Sequence, residues 1–275
     1  MKETIGSFIL IRDEAQWIAP HIMRVLPFLD RMVFYDGLST DGTIEIIQEI
    51  KRTHINGDRI KLVLGKDPAN LQEDYVRLFN EAMRSLDTDL AVFLHPDMYV
   101  ETPSRFRDFM DKDCIMGIGH MESYAGNPGE QLFKIAKGRG EIWPLVYRLK
   151  NPDLGAHYFG HYGAANEAVY FSEITGDSHE FPGQDLTKYP FPVMDVGLRV
   201  LHFSDVRSYE RRLGRMKSCL LNQGYSQEEA DSIAPKHERV SLKDSEHFKF
   251  IPAEYPPVFL IYQSEFSKEK HLTHA

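Results

Sequence analysis

The chain has 275 residues, of which 42% are hydrophobic and 27% are charged. This composition is typical of a globular protein with one large domain. A formal net charge of -9 argues against nucleic acid or anionic lipid as a main partner. The apolar stretch near the N-terminus is too short for a signal peptide, and no later stretch reaches the length of a membrane span. With only two cysteines, a reducing, cytoplasmic location is expected.

Strand-like and helix-like segments alternate through the first hundred residues. Residues 5–11 form an apolar run that predicts a strand, and the apolar stripe of residues 18–29 predicts an amphipathic helix. Three further strands with two intervening helices are predicted, in chain order, at residues 31–36, 44–50, 59–65, 70–86 and 90–94. Continuous apolar strands between helices indicate a parallel α/β sheet that is covered on both faces.

The pattern is weaker in the second half of the chain. Residues 114–121 and 198–203 predict strands, whereas the glycine-rich and aromatic stretch 122–165 fits no clear element. A helix with an apolar stripe is predicted from residue 209, and Ser226 with Glu229 has the spacing of a capping box at the start of another. We therefore expect a main domain at residues 1–205 and a helical C-terminal extension at residues 206–275.

Acidic residues follow three of the predicted parallel strands. Asp13 and Glu14 follow the first strand, Asp36 follows the second and Asp97 follows the fourth. The carboxyl ends of parallel strands meet at one edge of the sheet, where α/β proteins bind ligands. Each acid alone could be a helix cap or a turn residue. Their convergence on one edge, in a chain with no basic counter-cluster expected nearby, predicts a bound cation or a ligand rich in N–H and hydroxyl donors.

The residues around Asp97 favour a divalent cation. His95 precedes a proline and is predicted to continue the fourth strand, because a residue before proline is pushed towards extended geometry. Carboxylate oxygens suit Mg²⁺ or Mn²⁺, and an imidazole partner favours Mn²⁺. The turn 37–43 has the glycine spacing of a P-loop, but Thr43 stands where the lysine belongs, which excludes a Walker motif.

Three stretches, in this order, resemble family 2 glycosyltransferases of the GT-A fold. The segment "FILIRDEAQWIAPHIMRVLPFLDRMVFYDGLSTDGTIEII" is similar to the family's opening, with its N-E pair and D-D-G-S-T-D-G-T turn. The segment "YVRLFNEAMRSLDTDLAVFLHPDMYV" resembles the helix and strand that end in D-x-D, and "LHFSDVRSYERRLGRMKSC" resembles the late histidine and its helix. The resemblance implies transfer of a sugar from a nucleotide-diphosphate donor, such as a UDP- or GDP-sugar, to an acceptor hydroxyl.

The same resemblance implies roles for individual residues. Asp97 matches the last acid of D-x-D and His202 the late histidine, so both are expected at a Mn²⁺ or Mg²⁺ site, together with His95. The residues expected to contact the nucleotide are Asp13, Glu14, Asp36 and Asp67. Glu167, in "GAANEAVYF", is the best match for an acidic catalytic base, and Asp185 and Asp195 are its rivals. The implied acceptor is a carbohydrate or a lipid-linked group, and the implied reaction inverts the sugar's configuration.

The chain departs from the family pattern at its metal and nucleotide motifs. His95 replaces the first acid of D-x-D, which removes a negative charge from the metal site. Gly37 and Leu38 replace D-G in the nucleotide turn, and Asp13 replaces the asparagine of the N-E pair. Two alternatives therefore stay open, namely a protein that binds sugar nucleotides or glycans without catalysis, and a nucleotidyltransferase of the same general fold.

Overall fold

The structure is a computed structural model, and its first four strands form a parallel sheet. It describes the following residues: 2–65, 82, 85–110, 112–126, 132–136, 141–149, 157–162, 167–172, 178–180, 192–222, 224–237 and 249–253. The four strands are β1 (Ile5–Ile11), β2 (Arg31–Asp36), β3 (Ile60–Leu64) and β4 (Leu90–Phe93). They lie in the spatial order β3-β2-β1-β4, and β1 pairs in parallel with both β2 and β4. The strand order therefore reverses between β1 and β4, which is where doubly wound sheets bind their ligands.

Both faces of this parallel sheet are covered, as predicted. Alternate side chains of a strand point to opposite faces, and Ile9 and Phe8 accordingly belong to two different buried clusters. Ile9 packs in the cluster that holds the buried stripes of helices α1 (Ile18–Val25) and α2 (Thr43–Thr53). Phe8 packs in the cluster that contains Leu86. These two hydrophobic layers hold the carboxyl ends of β1, β2 and β4 in a fixed arrangement.

The remainder of the described chain turns this sheet into a mixed one. The added strands are β5 (Met98–Val100), β6 (Met116–Gly126), β7 (Leu132–Ala136), β8 (Glu141–Arg148), β12 (Val193–Val206) and β13 (Lys249–Ala253). Within the described residues, the main sheet has ten strands, and β4 continues antiparallel into β8 and then β6. β12 pairs in parallel with β6 and antiparallel with β5. A separate antiparallel sheet contains β9 (His157–Tyr162), β10 (Glu167–Ser172) and β11 (Ser178–Glu180).

The C-terminal part contains both predicted helices and one strand that was not predicted. The helices are α3 (Tyr209–Asn222) and α4 (Gln227–His237). The predicted capping box is present, since Ser226 N–H donates to Glu229 Oε2 at 2.8 Å and Glu229 N–H donates to Ser226 Oγ at 3.3 Å. The C-terminal segment also contains a strand, because β13 pairs with β7 at the edge of the main sheet. Pro252 is tolerated there because an edge strand leaves one row of N–H groups unused.

Two other predictions are changed or left open by the structure. β4 ends at Phe93, so His95 does not continue the strand as predicted. The His95 carbonyl instead accepts a hydrogen bond from Met98 N–H at 3.0 Å, which closes the turn between β4 and β5. The helix predicted at residues 70–86 lies mostly outside the described residues. Among the helices of the described segments, none is long and apolar enough to cross a membrane.

Candidate functional site at the carboxyl ends of β1, β2 and β4

The loops that follow β1 and β2 are joined by side-chain hydrogen bonds. Asp13 N–H donates to Ser39 Oγ at 2.8 Å, and Thr40 N–H donates to Asp13 Oδ1 at 2.7 Å. Ala15 N–H donates to one oxygen of Asp41 at 3.0 Å, while the other Asp41 oxygen accepts the backbone N–H that begins α2 at 3.1 Å. Asp13 itself has a φ of 54°, a left-handed conformation that aspartate tolerates better than most residues. The two loops therefore form one preorganised surface at the sheet edge.

Asp36 lies at the end of β2 beneath this surface. Its side chain is 2% exposed, and Oδ2 accepts a hydrogen bond from Ser39 N–H at 3.0 Å. Oδ1 is buried and has no hydrogen-bond partner. A buried acceptor without a partner costs about 1–3 kcal/mol, so an N–H or O–H donor from a ligand would have a favourable place to bind. The contact between Asp36 and a nucleoside stays a prediction.

A buried arginine connects the ends of β1 and β4. Arg207, between β12 and α3, donates from Nη2 to both carboxylate oxygens of Glu14 and to Asp97 Oδ2, each at 3.0 Å. The side chains of Arg207, Glu14 and Asp97 are 4%, 14% and 6% exposed. The expectation that no basic cluster accompanies the acids is therefore wrong in three dimensions. Arg211, one turn along α3, likewise donates to the Asp13 carbonyl and lies 3.6 Å from Asp41 Oδ2.

His202 approaches the second oxygen of Asp97. It lies on β12 opposite Met98 of β5, and its Nε2 is 3.6 Å from Asp97 Oδ1. That oxygen is buried and makes no hydrogen bond. Burial by itself would raise the pKa of Asp97, but the proximity of His202 and of the Arg207 guanidinium outweighs burial and holds the pKa well below its usual range. Asp97 therefore presents an ionised oxygen towards His202.

Glu14 shows the opposite pKa shift. Burial raises the pKa of its carboxyl to about 7, although the guanidinium of Arg207 acts in the lowering direction. Burial lowers the pKa of His21, which lines the same small pocket as Asp97, to about 4, so this histidine is neutral near pH 7. The group formed by Asp97, Glu14 and Arg207 thus combines one ionised carboxylate, one carboxylate that titrates near neutrality and one permanent cation.

The donor atoms of Asp97 and His202 fit a shared divalent cation. Two ligand atoms that are each about 2.1 Å from one cation lie about 3.0 Å apart at an octahedral angle and about 3.4 Å apart at a tetrahedral angle. The observed 3.6 Å separation is close to these values, and the free oxygen of Asp97 is otherwise unsatisfied. Within the described residues, however, no group of three or more histidine, cysteine, aspartate or glutamate side chains is arranged around one metal position. A cation here would need oxygens from a ligand such as a diphosphate.

The structure brings together some of the predicted site residues. Asp13, Glu14, Asp36, Asp97 and His202 all lie at this edge of the sheet. His95 is in the adjacent turn, where its ring packs edge-on against Phe93 with centroids 4.9 Å apart, and it does not complete a three-ligand set. Asp67 and Asp185 lie outside the described residues.

Among the candidate bases, only Asp195 has its side chain within the part of the chain that the structure describes. The backbone of Glu167 begins β10, opposite Tyr162 of β9, in the small antiparallel sheet. Asp195, on β12, is bonded to His120 at 2.8 Å on a half-exposed surface, so its carboxylate is already engaged. The base therefore stays a prediction.

Arg207 and Arg211 are the site residues that sequence reasoning missed. They belong to "VRSYERRLGR" (206–215), a cluster of arginines in a chain whose net charge is -9. This local excess of positive charge was the available signal. Its acidic partners were not readable, because Glu14 and Arg207 are 193 positions apart.

No protein-family model matches the chain, and no curated protein matches it. Among solved structures, the chain is similar to the mannosyltransferase PcManGT from Pyrobaculum calidifontis in complex with GDP-Man and Mn²⁺, with 12% identity, 97% of this chain and 80% of that chain covered, and a TM-score of 0.41. It is also similar to glucosyl-3-phosphoglycerate synthase from Mycobacterium tuberculosis in complex with UDP, with 18% identity, 45% of each chain covered and a TM-score of 0.29. It is also similar to HddC from Yersinia pseudotuberculosis, with 11% identity, 73% of this chain and 90% of that chain covered, and a TM-score of 0.32. The α/β class of this chain follows from its own strand order.

Proposed function

We propose that this chain is a glycosyltransferase of the GT-A fold that moves a sugar from a nucleoside-diphosphate donor to an acceptor hydroxyl. The observation that carries the proposal is the pairing of Asp97 Oδ1 with His202 Nε2 at 3.6 Å, beside the point where the strand order reverses. Asp36 lies at the adjacent strand end with one unsatisfied buried oxygen. A donor whose nucleoside contacts Asp36 would extend its diphosphate along the sheet edge towards Asp97.

In this proposal, Asp97 and His202 hold a divalent cation, Mn²⁺ or Mg²⁺, together with the diphosphate. The cation would stabilise the negative charge that develops on the departing nucleoside diphosphate. Such a leaving group needs no carboxylic acid to protonate it, so one base for the acceptor hydroxyl is sufficient. The hydrogen-bonded loops after β1 and β2 keep the donor site preorganised.

Glu167 is the proposed base, and the proposed stereochemical outcome is inversion. If Glu167 accepts the acceptor's proton, Glu167→Gln should lower turnover by about 10²–10⁴-fold while the nucleotide affinity is unchanged. Unchanged turnover in Glu167→Gln would remove this residue from the role. The acceptor class that we propose is a carbohydrate or a lipid-linked group.

The proposed function is tested by measuring nucleoside diphosphate released from a panel of GDP- and UDP-sugars with mixed acceptors. We expect release that requires Mn²⁺ or Mg²⁺ and that is lost in Asp97→Asn and in His202→Ala. Asp108→Asn is the matched control, because Asp108 is an exposed aspartate whose ion pair with Arg105 lies elsewhere on the surface. Absence of release from the wild type with every donor, under conditions in which it binds the nucleotides, would contradict the enzymatic proposal.

A second candidate is a non-catalytic protein that binds sugar nucleotides through the same site. It is favoured by one observation, the histidine at position 95 where the family has an acid, which leaves Asp97 as the only carboxylate of that motif. The release assay separates the two candidates. A binding protein would be stabilised by the nucleotide in a thermal-shift experiment but would release no diphosphate.

A further inference from the structure

Arg207 occupies the centre of the site and has no role in the function proposed so far. Its guanidinium lies between a carboxylate from the loop after β1 and a carboxylate from the end of β4. We infer that Arg207 is a positioning residue that fixes the orientation of the Asp97 carboxylate, because it binds Oδ2 and leaves Oδ1 facing His202. This inference rests on the proposed function, because it assigns Asp97 Oδ1 to the cation of that site.

The two carboxylate oxygens of Asp97 have different contacts. Oδ2 accepts from Arg207 Nη2 at 3.0 Å, whereas Oδ1 makes no hydrogen bond and is 3.6 Å from His202 Nε2. A carboxylate that is free to turn about its Cβ–Cγ bond exchanges these two positions. An N–H donor held at one oxygen removes that freedom and leaves a single, preorganised oxygen for a ligand.

Arg207 is itself held on several sides, which allows it to act as a fixed support. Its Nη2 also donates to both oxygens of Glu14, each at 3.0 Å. Its backbone carbonyl accepts from the buried Arg212, whose Nη1 also donates to the Gly126 carbonyl at 3.2 Å. The orientation of Asp97 therefore depends on contacts that reach β1, β6 and the start of α3.

The charge and shape of arginine are both required in this position. Two buried carboxylates cannot remain ionised side by side without a cation between them, and arginine stays charged at all accessible pH values. Lysine would keep the charge, but Arg207 makes all three contacts from its terminal Nη2. A lysine side chain ends one bond earlier, so its ammonium would lie too far from the two carboxylates to replace these contacts. Because no three-ligand group surrounds a metal position in the described part of the chain, the orientation of the Asp97 carboxylate carries a large share of the metal binding.

The experiment measures Mn²⁺ affinity by electron paramagnetic resonance at pH 8, with GDP and with UDP. The variants are Arg207→Lys and the double variant Glu14→Gln/Arg207→Met, and circular dichroism establishes that each is folded. The double variant removes one negative and one positive charge, so the formal charge of the site is unchanged. Arg52→Lys is the matched control, since Arg52 forms an exposed pair with Glu49 on α2.

We expect both Arg207 variants to bind Mn²⁺ about 10–100-fold more weakly, because residues that orient a metal ligand typically have effects of this size. Arg52→Lys should stay within about twofold of the wild type. Folded Arg207 variants with wild-type Mn²⁺ affinity would overturn the inference and leave the proposed function intact. If Arg207→Lys does not fold, the Mn²⁺ affinity of Glu14→Gln/Arg207→Met tests the inference. A wild type that binds no Mn²⁺ would contradict the proposed metal site itself.

Discussion

Replacement of Arg207 by methionine should destabilise the protein strongly, because it leaves two buried carboxylates without their cation. Arg207 makes three contacts of 3.0 Å with Glu14 and Asp97, whose side chains are only 14% and 6% exposed. Removing one partner of a buried ion pair typically costs about 3–5 kcal/mol. We therefore expect Arg207→Met to lower the free energy of unfolding by about 3–5 kcal/mol at pH 8, measured by urea denaturation.

The loss should depend on pH and on the second partner. Burial already raises the pKa of Glu14 to about 7, and loss of Arg207 would raise it further. The native variant would then bind a proton that the unfolded chain releases, so the deficit should shrink between pH 8 and pH 5.5. Glu14→Gln/Arg207→Met should recover at least about 1 kcal/mol of the loss at pH 8, because it removes one of the unpaired charges. An Arg207→Met variant within about 1 kcal/mol of the wild type at pH 8 would refute this reasoning.

Three further predictions concern other parts of the chain. Burial lowers the pKa of His21 from 6.5 to about 4, so the folded state should lose up to about 3 kcal/mol of stability as the pH falls through this interval. His21→Leu should remove that loss, and urea unfolding curves with the same pH dependence in both proteins would contradict this prediction. Leu38 has a φ of 63°, so Leu38→Gly should relieve strain and raise stability by about 0.5–1 kcal/mol in thermal unfolding, whereas a lower melting temperature would show that the leucine side chain packs favourably. Ser226→Ala should cost about 1 kcal/mol through loss of the α4 cap, and an unchanged urea midpoint would exclude a stabilising cap.

The parallel half of the fold could be predicted because its signals are local. Each strand from β1 to β4 is a short apolar run, and each neighbouring helix repeats its apolar residues every three or four positions. The capping box of Ser226 and Glu229 was equally readable, since both residues lie within one turn of the helix that they begin. The position of the acids at the carboxyl ends of β1, β2 and β4 could be predicted in the same way, because each acid lies at or shortly after the end of its strand in the sequence.

The mixed half of the sheet could not be predicted because its pairings are long-range. β13 joins β7 across more than a hundred positions, and Pro252 made the segment resemble a peripheral tail. The strand that ends at Phe93 was extended too far, because the rule for a residue before proline describes local backbone preference and not the turn that joins β4 to β5. The glycine-rich segment 122–165, which contains β7, β8 and β9, has no periodicity that separates one strand from the next.

The candidate site was readable in its acids but not in their partners. Carboxylates at strand ends identify a sheet edge, whereas the residue that neutralises them depends on which distant segment returns to that edge. Arg207 reaches Asp97 from 110 positions away, through the antiparallel pairing of β12 with β5, in which His202 lies opposite Met98. From the sequence alone, a bound cation was the only expected source of positive charge beside these carboxylates. In the structure, Arg207 of the chain itself also supplies a positive charge.

The most direct test is isothermal titration of Mn²⁺ into the wild-type protein and into Asp97→Asn, each with saturating GDP or UDP. Uptake of one equivalent by the wild type, with affinity at least about tenfold weaker in Asp97→Asn, is the predicted result. No heat of binding in the wild type with either nucleotide, or equal affinity in the two proteins, would contradict a cation held between the strand end and His202.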